Sequence, residues 1–397
     1  MSHQVFARVP NFVEQAPSAF TLRVSEDSIS EFHQLLDLSK VGPPTWEGSQ
    51  SDRRFGITRE WLLNAKSVWL NQFNWRQFEE RINSYPNFIM DVPVDYGSDG
   101  FKIHFVALFS ARQDAKPVVF LHGWPGSFVE FLPILEILSS RHTPDTLPYH
   151  VIVPSLPGYT LSAGPPLDRD FTMSDAAELI HGLMMRLGFS DGYVAQGGDV
   201  GSILATTLSA TYEQCKAVHL NLWVVPDSSE ERSNGAYQRE IDITMAHRAE
   251  LFRTTGMAYA IEHATRPSTI GLVLSSSPLA LLSWIGEKFL DWSDTRQPPS
   301  LDTILGMVSL YWFTACFPRS IWPYRNIVNA NAVSVPKTKP FGYSCFPYEL
   351  WTVPESMAKA TAENLVFFAE YDKGGHFAAL EQPELLLAGV EEFIAKL

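Results

Sequence analysis

A series of short apolar runs, each about one strand long, alternates with stretches of helical periodicity, and this alternation limits the possible architectures more than any other feature. KIHFVALF (102–109) alternates like a strand, PVVFL (117–121) is a continuous apolar run of the buried kind, and YHVIVPSLPG (149–158) and AVHLNLWVV (217–225) repeat that pattern. Residues 128–139 and 173–187 read as helices between them. Strands alternating with helices call for right-handed crossovers and a mostly parallel sheet with helices on both faces, an α/β fold. After Pro226 the strand signal stops for more than a hundred residues of amphipathic and Pro/Trp/Tyr-rich text, and then returns once as NLVFFAEYD (364–372). Residues 1–98 have no strong strand pattern but carry Trp46, Trp61, Trp69 and Trp75, aromatics of the kind that pack onto another body. The expected organisation is an N-terminal arm at 1–98 wrapping the core, a first core segment at 99–225, a mainly helical lid insertion at 226–340 and a second core segment at 341–397.

The 397 residues carry a formal net charge of −14, which argues against nucleic acid or an anionic membrane as partner, and 45% hydrophobic residues are enough for a large core. Cys215, Cys316 and Cys345 are far apart and odd in number, so neither a disulfide framework nor a zinc site is expected, and a reducing, cytoplasmic compartment fits. The N-terminus lacks an apolar signal-type segment, and no Asn-x-Ser/Thr sequon occurs. The charge-free stretch 267–286 contains two prolines, two glycines and five serines, so it reads as buried or pocket-lining and not as a membrane anchor.

The strongest local motif is YVAQGGDVGSILA. An apolar strand enters Gly197-Gly198-Asp199-Val200-Gly201 and a helix leaves from Ser202. Glycines on either side allow a tight strand-to-helix turn that exposes the central side chain at the carboxyl end of the sheet. That side chain is Asp199. An aspartate at a helix start is also an ordinary turn residue, whereas a dinucleotide loop would need glycine where Gln196 stands and would be repelled by the carboxylate.

FLHGWPGS (120–127) follows the PVVFL strand. In α/β-hydrolases this loop gives one oxyanion-hole amide and the residue after the nucleophile gives the other, here Trp124 and Val200. Near the C-terminus, FFAEYDKGGHFAALEQPE brings His376 onto a glycine-rich loop after a strand, where it can reach the same sheet edge as a base. An acid should precede it in chain order. Glu349, in CFPYELW, and Asp372 are the candidates, and Asp372 looks more like a turn residue.

Taken together, HGWPGS, GGDVGS, FPYE, GGHFAALEQPE and the upstream WRQFEERINSYPNF and IHFVALFS resemble the microsomal-type epoxide hydrolase family, especially its soluble fungal members. The match runs from about Phe20 to the C-terminus. It implies an α/β-hydrolase fold with an N-terminal meander and a helical lid, no cofactor, no metal, and a small lipophilic epoxide as substrate. It maps Asp199 onto the nucleophile, His376 onto the general base, Glu349 onto the orienting acid, and Tyr259 (AYAIEHATRPST) and Tyr324 (WPYRN) onto the lid tyrosines. Unlike membrane-bound members, the sequence lacks an N-terminal anchor.

The chemistry agrees with the resemblance. A serine would open an epoxide to a stable ether, whereas a carboxylate forms an ester that water can cleave. His376 oriented by Glu349 would activate that water, each oxyanion amide would contribute on the order of 3 kcal/mol, and the phenols would donate to the epoxide oxygen. The expected activity is therefore conversion of an epoxide and water to a vicinal diol. A haloalkane dehalogenase, with the Trp124 indole as halide donor, and a non-catalytic ligand receptor on the same fold are the alternatives. The C-terminal tripeptide Ala395-Lys396-Leu397 resembles a peroxisomal address, although a helix ending in Lys-Leu accounts for it equally. The sequence also leaves a homodimer open.

Overall fold

In the computed structural model, which describes residues 3–94, 100–225, 243–327 and 334–397, the apolar runs pair into a single nine-stranded sheet. Its strands are β1 (Ser18–Phe20), β2 (Asn87–Val92), β3 (Phe101–Leu108), β4 (Lys116–Leu121), β5 (Tyr149–Pro154), β6 (Tyr193–Gly197), β7 (Cys215–Leu220), β8 (Phe341–Cys345) and β9 (Leu365–Glu370). The spatial order is β1-β2-β3-β5-β4-β6-β7-β8-β9. From β5 to β9 all pairings are parallel, and β1, β2 and β3 add to that edge antiparallel. This is the α/β-hydrolase fold. The expected segment boundaries at 98–99 and 225–226 fall at or inside stretches outside the described residues.

Two strands lie where the sequence shows no strand pattern. β1 is three residues long, too short for a period to register, and in β2 the apolar Ile89 shares a side with Asn87 and Asp91, so NFIMDV lacks the polar alternation of a half-exposed strand. The alternation in KIHFVALF has a different origin from solvent exposure. Every residue of β3 except Lys102 is buried, and His104 is accommodated by Ser155 Oγ at 2.9 Å and Asn87 Oδ1 at 2.9 Å. Burial without a carboxylate neighbour pushes its pKa down to about 3, so the ring is neutral. The run 217–225 is also cut short, because β7 ends at Leu220, where Asn221 accepts a hydrogen bond from Gln196 Nε2 at 2.8 Å.

The N-terminal helices are α1 (Glu26–Leu38), α2 (Arg59–Asn71) and α3 (Trp75–Asn83); α4 (Leu132–Arg141), α5 (Met173–Arg186) and α6 (Asp199–Thr211) belong to the sheet crossovers. Between β7 and β8 lie α7 (Ile243–Leu251), α8 (Ala258–Thr265), α9 (Pro267–Leu274), α10 (Pro278–Trp292) and α11 (Leu301–Phe313), followed by two short helices, Phe317–Ser320 and Pro323–Ile327. The N-terminal helices pack mainly on α10 and α11 of this insertion. Trp69 donates its indole N–H to Ser309 Oγ at 3.0 Å, and the Trp75 ring meets Phe313 with centroids 4.7 Å apart. Trp46 departs from the packing expectation: it is 62% exposed, under the Arg54 guanidinium.

The charge-free stretch forms α9 and the start of α10, which meet at a sharp bend of 117°. Leu281, Leu282 and Ile285 are buried while Leu272 and Val273 are exposed, so the segment packs without lining the large cavity described below. Among the described residues no single helix is long and apolar enough to cross a membrane.

Candidate active site

Asp199 begins α6 with φ +48°, a backbone conformation costly for a non-glycine residue and typical of a side chain held for function. The flanking glycines are required by contact. A Cβ on Gly197 would lie 2.2 Å from Gly201 O, and a Cβ on Gly201 would lie 2.0 Å from Leu121 O, so the turn is pressed against itself and against the end of β4. The loop after β4 meets it there. Trp124 N–H donates to Asp199 Oδ1 at 2.7 Å, and Val200 is buried in the first turn of α6, where amides have no intrahelical acceptor. His122 steadies this loop, with Nδ1 3.0 Å from Gly123 O and Nε2 accepting Leu156 N–H at 3.1 Å. Burial lowers its pKa to about 4, so it is neutral.

His376 stands between two carboxylates. Its Nδ1 lies 2.6 Å from Glu349 Oε1 and its Nε2 lies 3.5 Å from Asp199 Oδ2. Glu349 follows β8, is 1% exposed, and the same Oε1 accepts Leu350 N–H at 2.6 Å. Asp372, the other candidate acid, is exposed, and the contact it makes is from its backbone carbonyl to Arg296. The loop carrying His376 is fixed at both ends of the ring: His376 N–H donates to Trp292 O at 3.1 Å, and the Glu381 carboxylate accepts Phe377 N–H at 2.9 Å and Asp294 N–H at 2.6 Å. Burial pulls the His376 pKa down, but the charges and hydrogen bonds of Glu349 and Asp199 together outweigh it and the net position is about 10. The imidazole is therefore a cation in the resting site. It becomes available as a base once one of its carboxylate neighbours loses charge.

Tyr259 on α8 and Tyr324 in Pro323–Ile327 come from separate helices of the insertion, and Tyr324 Oη lies 3.4 Å from Tyr259 Oη. The Tyr259 ring stacks on Trp124 at 5.3 Å between centroids. Burial, reinforced by the Asp199 charge, raises both phenols well above their ordinary range, so they remain donors throughout the working pH range. A cavity of about 570 Å3, with a mainly apolar wall that includes Trp223, Leu222, Phe252, Met257 and Trp351, reaches Asp199, Val200 and Tyr259. Several residues here were not singled out in the sequence. Glu130 is one, and the capping-box pattern Ser127-x-x-Glu130 was the available signal. Glu381 and Trp292 had no such signal, because their parts are played through backbone atoms or from a distant helix. Among the described residues no cluster of potential metal ligands occurs.

Residues 17–131 match the family model "Epoxide hydrolase N terminus", and 116–235 match "alpha/beta hydrolase fold". A relative from Dothistroma septosporum is 45% identical over 98% of this chain and 92% of its own length, and Epoxide hydrolase 1 of Sus scrofa is 30% identical over 95% and 88%. The solved structure of Aspergillus niger epoxide hydrolase superposes with a TM-score of 0.90 at 48% identity, covering 98% of this chain and 99% of that one.

Proposed function

The chain belongs to the epoxide hydrolase family and converts an epoxide and water to a vicinal diol through a carboxylate ester, and on that premise we propose that Asp199 is the nucleophile, His376 the base and Glu349 its orienting acid. The observation that carries this assignment is the single imidazole hydrogen-bonded to Glu349 on one nitrogen and facing Asp199 on the other, with Asp199 on the strained elbow at the wall of the large cavity. Tyr259 and Tyr324 donate hydrogen bonds to the epoxide oxygen as the Asp199 carboxylate attacks a ring carbon, and a phenolic proton passes to that oxygen as the C–O bond breaks. The substrate is a lipophilic epoxide, matched to the apolar lining of the cavity.

Alkylation removes the negative charge of Asp199. His376 then loses one of the two carboxylates that hold its proton, its pKa falls, its proton passes to the phenolate left by ring opening and restores the phenol, and the neutral ring takes a proton from water attacking the ester carbonyl carbon. Trp124 N–H and Val200 N–H receive the resulting oxyanion. Collapse breaks the acyl–oxygen bond, the diol leaves with a proton from His376, the second water proton passes from the regenerated Asp199 carboxyl to His376 and restores the resting ion pair, and one water oxygen stays in the Asp199 carboxylate. The dehalogenase alternative loses support, because the relatives and the solved structure that match over nearly the whole chain are epoxide hydrolases.

Single turnover in heavy-oxygen water tests the scheme. Label is expected in the Asp199 carboxylate by peptide mass analysis, and label confined to the diol would rule out the ester at Asp199.

A further inference from the structure

Two consecutive glycines precede His376, with Gly374 at φ +98°, so the place of the imidazole depends on what its loop bonds to. The turn that follows α10 of the insertion supplies those bonds. Gly374 N–H donates to Asp294 Oδ2 at 3.0 Å and His376 N–H donates to Trp292 O at 3.1 Å, while Glu381 joins Asp294 N–H to Phe377 N–H, one on each carboxylate oxygen. The two segments touch through their backbones: a Cβ on Gly375 would fall 2.7 Å from Asp294 N and 2.8 Å from Trp292 O. Arg296, in the same turn, donates to Asp372 O at 2.8 Å and lies over the Tyr348 ring at 4.8 Å. Tyr348 precedes Glu349 and donates its own N–H to Gly374 O at 3.0 Å.

Asp294 has no part in the scheme above, yet it is 1% exposed. Its Oδ1 accepts Arg296 N–H at 3.0 Å and closes a turn at its own position, a bond that forms equally well in solvent. Its Oδ2 instead reaches across to the base loop, with Arg296 Nη2 beside it at 2.7 Å. Burial pushes this carboxyl up, but the hydrogen bonds of Arg296 and Gly374 outweigh it and hold the group below the ordinary carboxylate range, so the acceptor stays charged and its bond to Gly374 is of the stronger kind. We propose that Asp294 is a positioning residue for His376, through which the seated lid sets the geometry of the base for ester cleavage. Asp294 touches neither epoxide nor ester and takes up no proton. It fixes Gly374, and thereby the direction in which the ring presents Nδ1 to Glu349 and Nε2 to the water that attacks the ester. Loss of this side chain leaves the Trp292 carbonyl and ring in place, so the tyrosine side of the site is spared and ester cleavage is the step that suffers.

The proposal rests on Asp199 and His376 acting as assigned, and the test separates the two. Asp294→Ala removes the side-chain acceptors but keeps the backbone N–H that Glu381 accepts; Asp294→Asn keeps an acceptor for Gly374 N–H. Rapid-quench kinetics with styrene oxide, read by intact mass, resolve ester formation from ester decay. Asp294→Ala is expected to form the ester within about threefold of the wild-type rate and to cleave it about 30-fold or more slowly, so that adduct accumulates, and Asp294→Asn to recover most of that loss. The proton NMR resonance of the 2.6 Å His376–Glu349 hydrogen bond, far downfield in the wild type, should move upfield in Asp294→Ala as the ring leaves its place. Ester decay at the wild-type rate in Asp294→Ala overturns the proposal. Equal slowing of both steps, or slow decay with that resonance unmoved, would reduce Asp294 to a structural part of the lid and overturn it as well. Should Asp294→Ala fail to fold, Arg296→Met, a change at an exposed side chain, cuts the same turn from Asp372 O and carries the same expectations and the same refutations. Absence of any adduct on Asp199 even in His376→Gln would overturn the nucleophile assignment, and the Asp294 proposal with it.

Discussion

Asp199, the proposed nucleophile, separates two regions built by different means. On the core side, His376 and Glu349 arrive on loops leaving strands of the parallel sheet and are fixed by charge and hydrogen bonds: Glu349 to Leu350 N–H and His376, and the His376 loop to Trp292 O and Glu381. On the lid side, Tyr259 and Tyr324 come from short helices of the insertion and are fixed mostly by ring packing, Tyr259 on Trp124 and Tyr324 edge-on to it at 5.7 Å. The core side can take up a proton near neutral pH once Asp199 has lost its charge, while the lid phenols stay protonated until an oxygen gaining charge meets them. Each region thus suits one half of a two-step reaction, acid assistance to ester formation from the lid and base assistance to ester cleavage from the core.

The largest effect comes from the residue both halves share. Asp199→Ala is expected to lower kcat by at least about 10^4-fold with the fold retained, since it removes the attacking carboxylate and leaves the turn that carries it with a Cβ of the same size. Steady-state diol release and thermal melting measure the two consequences. Retained diol formation in this variant would dissolve the comparison, because neither region would then act through Asp199.

His376→Gln follows, with the loss confined to one step. Ester cleavage is expected to fall about 10^3-fold or more while ester formation changes by less than about tenfold, so that adduct on Asp199 builds to near stoichiometry in intact-mass spectra. Equal slowing of both steps would mean that the core side also serves alkylation.

The elbow, the HGWPGS loop and the His376 loop were legible in the sequence because each depends on glycines whose positions the backbone dictates. At Gly197 and Gly201 any side chain would strike backbone, so the motif and the geometry are the same fact. The choice of Glu349 over Asp372 was legible only through its place after the insertion, the turn-like setting of Asp372 and the resemblance. The tyrosines rested on the resemblance alone, since two phenols brought together from helices about 65 residues apart leave no local spacing. β1 was hidden by shortness and β2 because apolar Ile89 sits on the same side as Asn87 and Asp91 and breaks the alternation, and Glu130 was hidden because a capping box is a common structural device.

The lid side can be broken selectively. Tyr259→Phe or Tyr324→Phe each removes one hydrogen bond to an oxygen gaining charge, worth roughly 1 to 3 kcal/mol, so each should slow ester formation by about 5- to 150-fold. The double variant should be worse than either alone, because no phenol then meets the alkoxide in an apolar pocket. Cleavage of a preformed ester should stay near wild type. Presteady-state kinetics on the three variants decide it: unchanged ester formation in the double variant would assign both rings to packing against Trp124 and leave the lid without a chemical part.

The smallest effect distinguishes the regions in the resting protein. His376 has its pKa raised from an unfolded value of about 6.5 to about 10, so it contributes stability that is fully present below about pH 6.5 and is lost as pH rises through about 10. Buried Glu130 and Glu381, raised to about 8 and about 7, carry the same sign, each stabilising in its protonated form and losing that contribution as pH rises through its folded pKa. The lid phenols contribute no slope in this window, because their pKa values are raised from a value already near 10, and their loss begins only above it. The melting temperature should therefore fall by a few degrees between pH 7 and pH 10, with the slope belonging to the core side. Tyr259→Phe should leave that slope unchanged. Asp199→Ala should shift the His376 part of it to lower pH, since one of the two carboxylates holding the imidazolium is gone. Differential scanning calorimetry from pH 7 to pH 10 on the wild type and both variants measures this, and the same slope in Asp199→Ala as in the wild type would mean that Glu349 alone holds the His376 proton.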